Sequence, residues 1–252
     1  MSEPTDRAAY FDQWYADMED APLKDEIEQR HLGLPPHLLS TSLLTWDGIA
    51  DVTDALRLDE GVVLLDLACG RGGYGLEVAL RTGARLVGVD LSAEAVRQAG
   101  EQADRLGRAA DFRVGRLEST GLDDDSVDGV MVVDAIQFSD EPATAYAELH
   151  RVLRPGGRVA LTGWQAVDLE DESQPVRLRR DLREALVDAG FIDVEVVERA
   201  DWRLSEKAMW EEAAALDPGD DPALVSLHDE GVRSLEHHDA RRRVFATASA
   251  PG

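Results

Sequence analysis

The stretch that decides the fold is Leu64-Leu65-Asp66-Leu67-Ala68-Cys69-Gly70-Arg71-Gly72-Gly73-Tyr74-Gly75. A short apolar run with Asp66 inside it predicts a buried strand, and the glycines after it allow a tight turn into the amphipathic run 76–80. The stretch therefore predicts a strand, a glycine loop and the start of a helix. Glycines suit a loop whose backbone touches a ligand, because any Cβ atom would hold that ligand away.

One pattern in this loop favours a dinucleotide. The segment from Gly70 to Gly75 satisfies G-x-G-x-x-G, and Asp90 follows Gly70 by 20 residues, as a dinucleotide-binding site requires. Asp66 argues against that interpretation, because a carboxylate near the loop offers an anionic pyrophosphate no favourable partner. The same carboxylate would favour a ligand with ammonium and sulfonium centres. A nicotinamide-dependent oxidoreductase therefore stays only as an alternative.

Three segments resemble motifs of the class I S-adenosylmethionine-dependent methyltransferases, in particular the small-molecule enzymes of the methyltransferase type 11-like group. The family's acidic residue and G-x-G-x-G loop correspond here to Asp66, Ala68, Gly70 and Gly72. Alanine thus replaces the family's first glycine. The segment 87–92 resembles the family's second strand, and the segment 151–158 resembles its arginine, proline and glycine turn before the fifth strand. The three segments follow one another in the family's order.

The resemblance implies that the chain binds S-adenosyl-L-methionine and forms S-adenosyl-L-homocysteine as product. It implies that the loop residues just named hold the cofactor, and that Asp90, followed by Leu91, holds both ribose hydroxyls. In this family the segment before the first strand crosses the methionine end of the cofactor, which makes Ser42 and Trp46 further candidates. Helix capping and burial of the indole are the alternative roles for these two.

The predicted adenine site departs from the family. The third strand is usually followed by an acid that accepts from the adenine amino group, whereas this chain has Arg116. Arginine has no acceptor atom. We therefore expect adenine to be bound by backbone groups around Leu117 or to stack beneath the guanidinium. The fourth strand ends with Asp134 and Gln137, where the family places residues near the transferred methyl.

Strand-like and helix-like segments alternate along the chain, and such alternation builds a parallel sheet with helices on both faces. After the first strand, further strands are predicted at 85–90, 111–114, 130–133, 158–163, 194–197 and 244–248, with later helices at about 141–153 and 175–189. The expected fold class is α/β, a Rossmann-like, doubly wound sheet of seven strands. It is mostly parallel, and the resemblance implies that the last strand is antiparallel and inserted between its neighbours.

Two additions to the sheet are expected. Residues 1–60 are predicted to form an N-terminal helical lid, and residues 61–252 the S-adenosylmethionine-binding domain. Residues 1–10 look irregular, and the helix after them carries on one face Phe11, Trp14, Tyr15 and Met18. That face either packs on the domain or closes over the ligands. A pair of helices is predicted as an insertion at 205–237, before the last strand.

Composition limits the partners. The chain has 51 acidic and 26 basic residues, and the resulting charge of −25 repels a phosphate backbone, so we expect no nucleic-acid partner. Arginines at 177–183 are interpreted as the solvated face of a helix, and those at 241–243 as the start of a strand. The single cysteine, Cys69, indicates a reducing compartment. No apolar run is long enough to span a bilayer, so a cytoplasmic protein without membrane or metal partners is expected.

Few residues qualify for proton transfer. Asp134 is either a catalytic base or a carboxylate that caps its loop, and both roles stay open. His31 and His37 fall in the lid region, where either could take a proton from a substrate. The candidate contacts of a substrate are Trp14, Tyr15 and Trp164.

The sequence therefore predicts an enzyme that transfers a methyl group from S-adenosylmethionine to a small-molecule acceptor. Oxygen or nitrogen of a secondary metabolite is the expected methyl acceptor. The arginine- and alanine-rich composition with two lysines suggests a high-GC bacterial source, where such reactions are common. From a different class, the alternative is a protein of the same fold that binds the cofactor without transferring methyl groups.

Overall fold

A computed structural model describes residues 6–252 of the chain. The predicted irregular segment 1–10 lies outside these residues in its first half. Its second half was predicted wrongly, because a helix begins at Arg7, where the side chain of Asp6 accepts a hydrogen bond from the backbone nitrogen of Ala9. This is the usual capping arrangement for a helix start.

A single seven-stranded sheet organises the described residues. Its strands are β1 (Val63–Leu67), β2 (Arg85–Asp90), β3 (Ala110–Val114), β4 (Val127–Val133), β5 (Leu153–Ala166), β6 (Ile192–Glu198) and β7 (Arg241–Ser249). The strand order is β3-β2-β1-β4-β5-β7-β6, and β7 runs antiparallel to both neighbours while the other pairs are parallel. The predicted fold class is thereby confirmed, including the insertion of the last strand between its neighbours.

Helices cover both faces of the sheet. Within residues 6–252 they are α1 (Arg7–Asp17), α2 (Pro22–Leu32), α3 (Trp46–Leu56), α4 (Gly73–Thr82), α5 (Ala93–Arg105), α6 (Pro142–Val152), α7 (Leu182–Asp188), α8 (Ala200–Ala215) and α9 (Pro222–Glu236). The side chain of Ser92 caps α5 by accepting from the backbone nitrogen of Ala95, as its place before the helix predicts. None of the helices among these described residues is long and apolar enough to cross a membrane.

The helix predicted at about 175–189 is wrong over its first half. A short 3₁₀ turn, Val176–Leu178, follows Pro175, and α7 begins only at Leu182. The reason is local, because the Asp181 side chain accepts from the backbone nitrogens of Arg183 and Glu184 and so starts a new helix there. The arginines before Asp181 are consequently not on the solvated face of a helix.

Two apolar layers hold the sheet. One layer packs α2, α3 and the α8–α9 pair, with Trp202 and Met209 fully buried, against one face. The other layer packs α6 and α7 against the opposite face, with Leu149 and Leu186 fully buried. All five residues of β1 are buried, including Asp66, which is level with Gly88 of β2 and Met131 of β4. The centre of the sheet thus contains one carboxyl group.

Candidate functional site

The loop after β1 is shaped by backbone that most residues avoid. Ala68, Gly70 and Gly72 all have positive φ, at 62°, 52° and 78°. A Cβ atom on Gly73 would lie 2.1 Å from the carbonyl oxygen of Leu39. Gly73 is therefore required by the segment that crosses the loop, and Gly70 and Gly72 suit the positive φ of their positions. Ala68 tolerates the same region at a modest energetic cost.

Asp90, at the end of β2, ties two parts of the site together. One carboxylate oxygen accepts from the backbone nitrogen of Gly70 at 2.8 Å, and the other accepts from that of Ser92 at 2.9 Å. Burial raises the pKa of Asp90, and these backbone donors oppose the shift. Each oxygen keeps a second lone pair, so the carboxylate can still accept from the hydroxyls of a ligand.

Asp66 is a buried carboxyl group beside the same loop. Burial, followed by the negative charge of Asp90, raises its pKa to about 7, while the backbone nitrogen of Gly75 donates to it and opposes the shift. A cationic ligand group would restore the ionised form, because opposite charge favours ionisation. Asp66 can therefore respond to a bound ammonium or sulfonium in a way that an exposed aspartate cannot.

A small cavity of about 20 Å³ lies against the loop, and we call it the loop cavity. It is lined by Tyr15, Leu39, Ser40, Thr41, Ser42, Asp66, Ala68, Cys69, Gly70, Arg71, Gly73, Tyr74 and Val133. Helix α1 covers it, since the Tyr15 hydroxyl lies 3.4 Å from the Thr41 hydroxyl and the Tyr15 carbonyl accepts from Gln98 at 2.9 Å. Tyr15 and Ser42 thus come together with the loop.

Other predicted cofactor contacts are placed differently. Trp46, the first residue of α3, lies under the guanidinium of Arg81 at 4.2 Å and lines neither the loop cavity nor the larger cavity described below.

Arg116 follows β3, and its side chain is 52% exposed. Its guanidinium lies 3.8 Å from each of two carboxylates, those of Glu118 and Asp140. Leu91 and Leu117 follow β2 and β3 at the carboxyl edge. Arg116 thus has room to cover a flat ring at that edge.

Asp134, directly after β4, is held by four donors. Its carboxylate accepts from both terminal nitrogens of Arg243, from the Thr162 hydroxyl at 2.6 Å and from the backbone nitrogen of Leu43 at 3.0 Å. We call the Asp134–Arg243 pair the buried clip. A carboxylate with its lone pairs taken up in this way is poorly suited to accept a substrate proton. The geometry favours the structural role over the catalytic one.

The interpretation of residues 241–243 as merely the start of a strand missed this clip. Because β7 is antiparallel, its first residues lie at the carboxyl edge of the parallel strands, with Arg243 level with Trp164. Arg243 is fully buried, stacks on Trp164 at 4.1 Å and lies 3.3 Å from a carboxylate oxygen of Glu206. Glu206 accepts from Trp164 at 2.8 Å. Burial raises the pKa of Glu206, and Arg243 opposes that shift.

A second cavity of about 140 Å³ lies between the ends of β4 and β5 and the α8–α9 pair, and we call it the insertion cavity. Gln137, predicted to lie near the transferred methyl, and Trp164, a predicted contact of the substrate, both line it. Gln137 donates to the Asp134 carbonyl at 2.7 Å, and its own amide oxygen has no hydrogen-bond partner among the described residues. Trp14 does not line this cavity, because its indole donates to Ser226 of α9 at 3.1 Å.

The two histidines predicted as bases lie elsewhere. His31 pairs with Glu212 of α8 at 2.6 Å, and His37, exposed, gives its carbonyl to Gln102 of α5. Neither lines the loop cavity or the insertion cavity. A predicted pairing of either histidine with a substrate therefore finds no support in this geometry.

Glu230 is an acid that the sequence did not single out. It lies on α9, its exposed side chain lines the insertion cavity, and within residues 6–252 its carboxylate makes no hydrogen bond or ion pair. Desolvation by the surrounding protein raises the pKa of the carboxyl group even though the side chain stays open to the cavity; Arg233 opposes the shift and Glu28 adds to it. A free carboxylate with a raised pKa in a cavity is suited to proton transfer. No motif marks it, because α9 belongs to an insertion without a regular pattern.

Comparison with known proteins adds to this geometry. Residues 65–161 match the family model described as a methyltransferase domain. A sterol 24-C-methyltransferase of Gibberella zeae is 29% identical over 198 residues, which are 75% of this chain and 51% of that protein. The chain spans about a third to a half of the length of the curated relatives it matches.

Solved structures share the fold at low identity. Phosphoethanolamine N-methyltransferase 2 of Haemonchus contortus, in complex with phosphomonomethylethanolamine and S-adenosylhomocysteine, aligns with a TM-score of 0.74 and 20% identity, over 94% of this chain and 59% of that chain. The [4+2]-cyclase SpnF aligns with a TM-score of 0.73 and 22% identity, over 97% and 96% of the two chains. Residues 65–161 therefore match a methyltransferase domain, and the fold around them is that of the class I S-adenosylmethionine-dependent methyltransferases. The resemblance seen in the sequence is confirmed.

Proposed function

We propose that the protein transfers the methyl group of S-adenosylmethionine to a small-molecule acceptor, at oxygen or nitrogen. The observation that carries the proposal is the juxtaposition of the Asp66 and Asp90 carboxyls with the glycine loop at one edge of the sheet. The cofactor occupies the loop side, with its methionine end near Ser42 and Asp66. The acceptor occupies the insertion cavity. Gln137, which lines that cavity, donates to the Asp134 carbonyl, and Asp134 in turn accepts from the backbone of Leu43, next to Ser42 of the loop cavity.

Calorimetry tests the cofactor. Binding of S-adenosylhomocysteine without binding of NADH supports the proposal, and the reverse result would replace it with a nicotinamide oxidoreductase. Transfer of label from methyl-labelled S-adenosylmethionine in an acceptor screen then tests the reaction. The first measurement does not depend on knowing the acceptor.

A second candidate function is cofactor binding without methyl transfer. The observation that favours it is that a [4+2]-cyclase has the same fold over nearly its whole length. Fold alone therefore does not determine the reaction. Bound S-adenosylhomocysteine combined with no labelled product across the acceptor screen would favour this candidate.

The N-terminal segment is assigned the role of a lid. Ligand-sized sites typically have volumes of roughly 300–1,000 Å³, whereas the loop cavity has about 20 Å³. Tyr15 and the segment around Thr41 occupy the space against Gly70, where a Cβ atom would lie 2.8 Å from the Tyr15 hydroxyl. Helix α1 and this segment must therefore move aside when the cofactor enters. Residues 1–60 as the lid and 61–252 as the binding domain form part of this proposal.

Asp90→Ala is expected to weaken binding of S-adenosylhomocysteine by about 1.5–3 kcal/mol, because a carboxylate bound to ribose hydroxyls makes charge-assisted hydrogen bonds. Calorimetry of the variant measures the loss. Asp104→Ala, on the exposed side of α5, is the matched control and should bind like the wild type. Asp90→Asn keeps the size of the side chain and separates loss of charge from loosening of the Gly70 loop. Unchanged affinity in both Asp90 variants would remove this residue from the site.

The affinity for S-adenosylhomocysteine is expected to rise with pH up to about 7. With its pKa raised to about 7, the Asp66 carboxyl is protonated below that pH. To bind the ammonium group of S-adenosylhomocysteine, Asp66 must then lose its proton. The affinity should fall by up to about tenfold per pH unit on the acidic side. Calorimetry between about pH 5.5 and 8 measures this slope, and Asp66→Asn should abolish it. A slope retained in Asp66→Asn would assign it to another group.

The raised pKa of Asp66 makes the folding stability of the free protein change with pH in the opposite direction to its affinity for the ligand. Its folded pKa of about 7 exceeds the unfolded value of about 3.9. The stability contribution is therefore fully present below about pH 3.9 and is lost as pH rises through about 7. The free protein consequently gives up stability at neutral pH that a bound cation restores.

For the acceptor we assign Glu230 the role of general base. An oxygen acceptor must lose a proton during transfer, and an ammonium must lose one before it can attack. Glu230 lines the insertion cavity with an unpaired carboxylate, whereas Asp134 is held by four donors. The raised pKa makes the Glu230 carboxylate a stronger base than an ordinary glutamate, and a general base is most effective when its pKa is near the operating pH.

A further inference from the structure

Two arginine side chains line the insertion cavity without an acidic partner. Arg177 lies in the 3₁₀ turn Val176–Leu178, and Arg241 is the first residue of β7. Within residues 6–252, the exposed Arg177 guanidinium makes no hydrogen bond or ion pair and lies 5.8 Å from the Phe138 ring centre. Arg241 donates to the uncharged amide oxygen of Gln174 at 3.1 Å. Both positive charges therefore remain uncompensated by direct contact.

The other two arginines of this cavity are occupied. Arg243 is neutralised by Asp134 and Glu206, and Arg203 donates to the His238 carbonyl at 2.7 Å and lies 3.2 Å from a carboxylate oxygen of Asp239. The contrast separates two uses of arginine in one cavity. Arg203 and Arg243 make contacts within the protein, whereas Arg177 and Arg241 are available to bind a ligand.

The available pair is also mutually repulsive. Burial lowers the pKa of Arg241, the positive charge of Arg177 lowers it further, and the weaker effect of the Glu206 charge opposes the shift. The chain has 51 acidic residues and 26 basic ones, so two neighbouring arginines without an acidic partner are unexpected in this protein. A bound anion would remove the repulsion and make charge-assisted hydrogen bonds to both groups.

We infer that Arg177 and Arg241 bind an anionic group, a carboxylate or a phosphate, of the molecule that occupies the insertion cavity. The inference rests on the proposed function in one respect, since it makes that molecule the methyl acceptor. Glu230 lines the same cavity, but neither Arg177 nor Arg241 is among the charged residues that shift its pKa, which are Arg233, Glu28, Lys24 and Glu206. Glu230 therefore does not neutralise the two arginines. The acceptor would present its anionic group to these arginines and its reacting atom elsewhere in the cavity.

Binding of inorganic phosphate and of acetate to the full chain tests the inference. Trp164 and Trp210 line the cavity, so tryptophan fluorescence during titration at constant ionic strength reports on its occupation. The wild type should give a saturable change. Arg177→Gln and Arg241→Gln should each weaken phosphate binding at least about fivefold, and the double variant should abolish it. Arg105→Gln, an exposed arginine on α5, changes the net charge equally and should bind like the wild type.

Two outcomes would overturn the inference: no saturable binding of either anion by the wild type, or equal affinities in all these variants. Arg177 is exposed, so its variant is expected to fold even if Arg241→Gln does not. A preference for phosphate over acetate would identify the anion as a phosphate. Neither titration needs a cofactor. Anion binding without binding of S-adenosylhomocysteine would therefore contradict the proposed function alone, and methyl transfer that is indifferent to these arginines would contradict the inference alone.

Discussion

Replacing Arg243 with methionine is expected to lower the free energy of unfolding by about 3–5 kcal/mol, because removing one member of a buried ion pair leaves an unpaired charge in the interior. Arg243 is fully buried between the Asp134 and Glu206 carboxylates, and methionine cannot compensate either one. Denaturation by urea, followed by circular dichroism, measures the change. The loss should be large compared with that of ordinary surface substitutions.

Arg242→Met is the matched control for this experiment. Arg242 is the neighbouring residue of β7, lies half-buried and donates to the amide oxygen of Gln165 at 2.7 Å. Its replacement should cost about 0.5–1.5 kcal/mol, as expected for one such hydrogen bond. Adding Asp134→Asn to Arg243→Met should recover part of the loss, since it removes one of the stranded charges. An Arg243→Met protein as stable as the Arg242→Met control would mean that the clip contributes no more than a single hydrogen bond of this kind, which would contradict the prediction.

Glu230→Gln is expected to lower kcat by about 10²–10⁴-fold with the acceptor identified by the label screen, because glutamine cannot accept the proton that a general base removes. Binding of S-adenosylhomocysteine should be unchanged, since Glu230 is not among the residues that line the loop cavity. In the wild type, kcat/KM should rise as pH rises through the raised pKa of Glu230, and this limb should be absent in the variant.

Two further measurements decide whether Glu230 acts as a base. Glu236→Gln, at the exposed end of α9, removes the same charge and should leave kcat within about twofold. The stability of Glu230→Gln should equal or exceed that of the wild type at neutral pH. A folded pKa raised above the unfolded value of about 4.3 means that ionised Glu230 costs stability once pH exceeds that value. A stable variant with full activity and an unaltered pH profile would exclude the role.

The two proposed ligand sites carry opposite charges. Buried Asp66 and Asp90 lie at the glycine loop, where a cationic cofactor is proposed, while Arg177 and Arg241 lie in the adjoining cavity. The Asp134–Arg243 clip lies between them and is internally neutral. Opposite charges in neighbouring compartments allow two unlike ligands to be bound side by side without mutual repulsion from the protein.

Much of the fold could be predicted from the sequence because local signals agree with the tertiary structure. The apolar run ending at Leu67, the glycines after it and the alternation of strands and helices predict a doubly wound sheet, and the structure contains one. Asp66 and Asp90 were candidates for the same reason, since Asp66 is the penultimate residue of β1 and Asp90 the last residue of β2, and the carboxyl ends of parallel strands share one edge. The prediction of a longer helix at about 175–189 was wrong, because the Asp181 side chain caps a new helix that begins only at Leu182.

The sequence by itself determined the sheet, the glycine loop and the acids at the strand ends, because these depend on patterns a few residues long. Only the tertiary structure decided which charged residues meet. The antiparallel course of β7 brings Arg243 to Asp134 across 109 positions of the chain, and the α8–α9 insertion brings Glu206 and Glu230 to the same edge. No period or spacing encodes such encounters, since they result from the packing of elements whose order in space differs from their order in the chain.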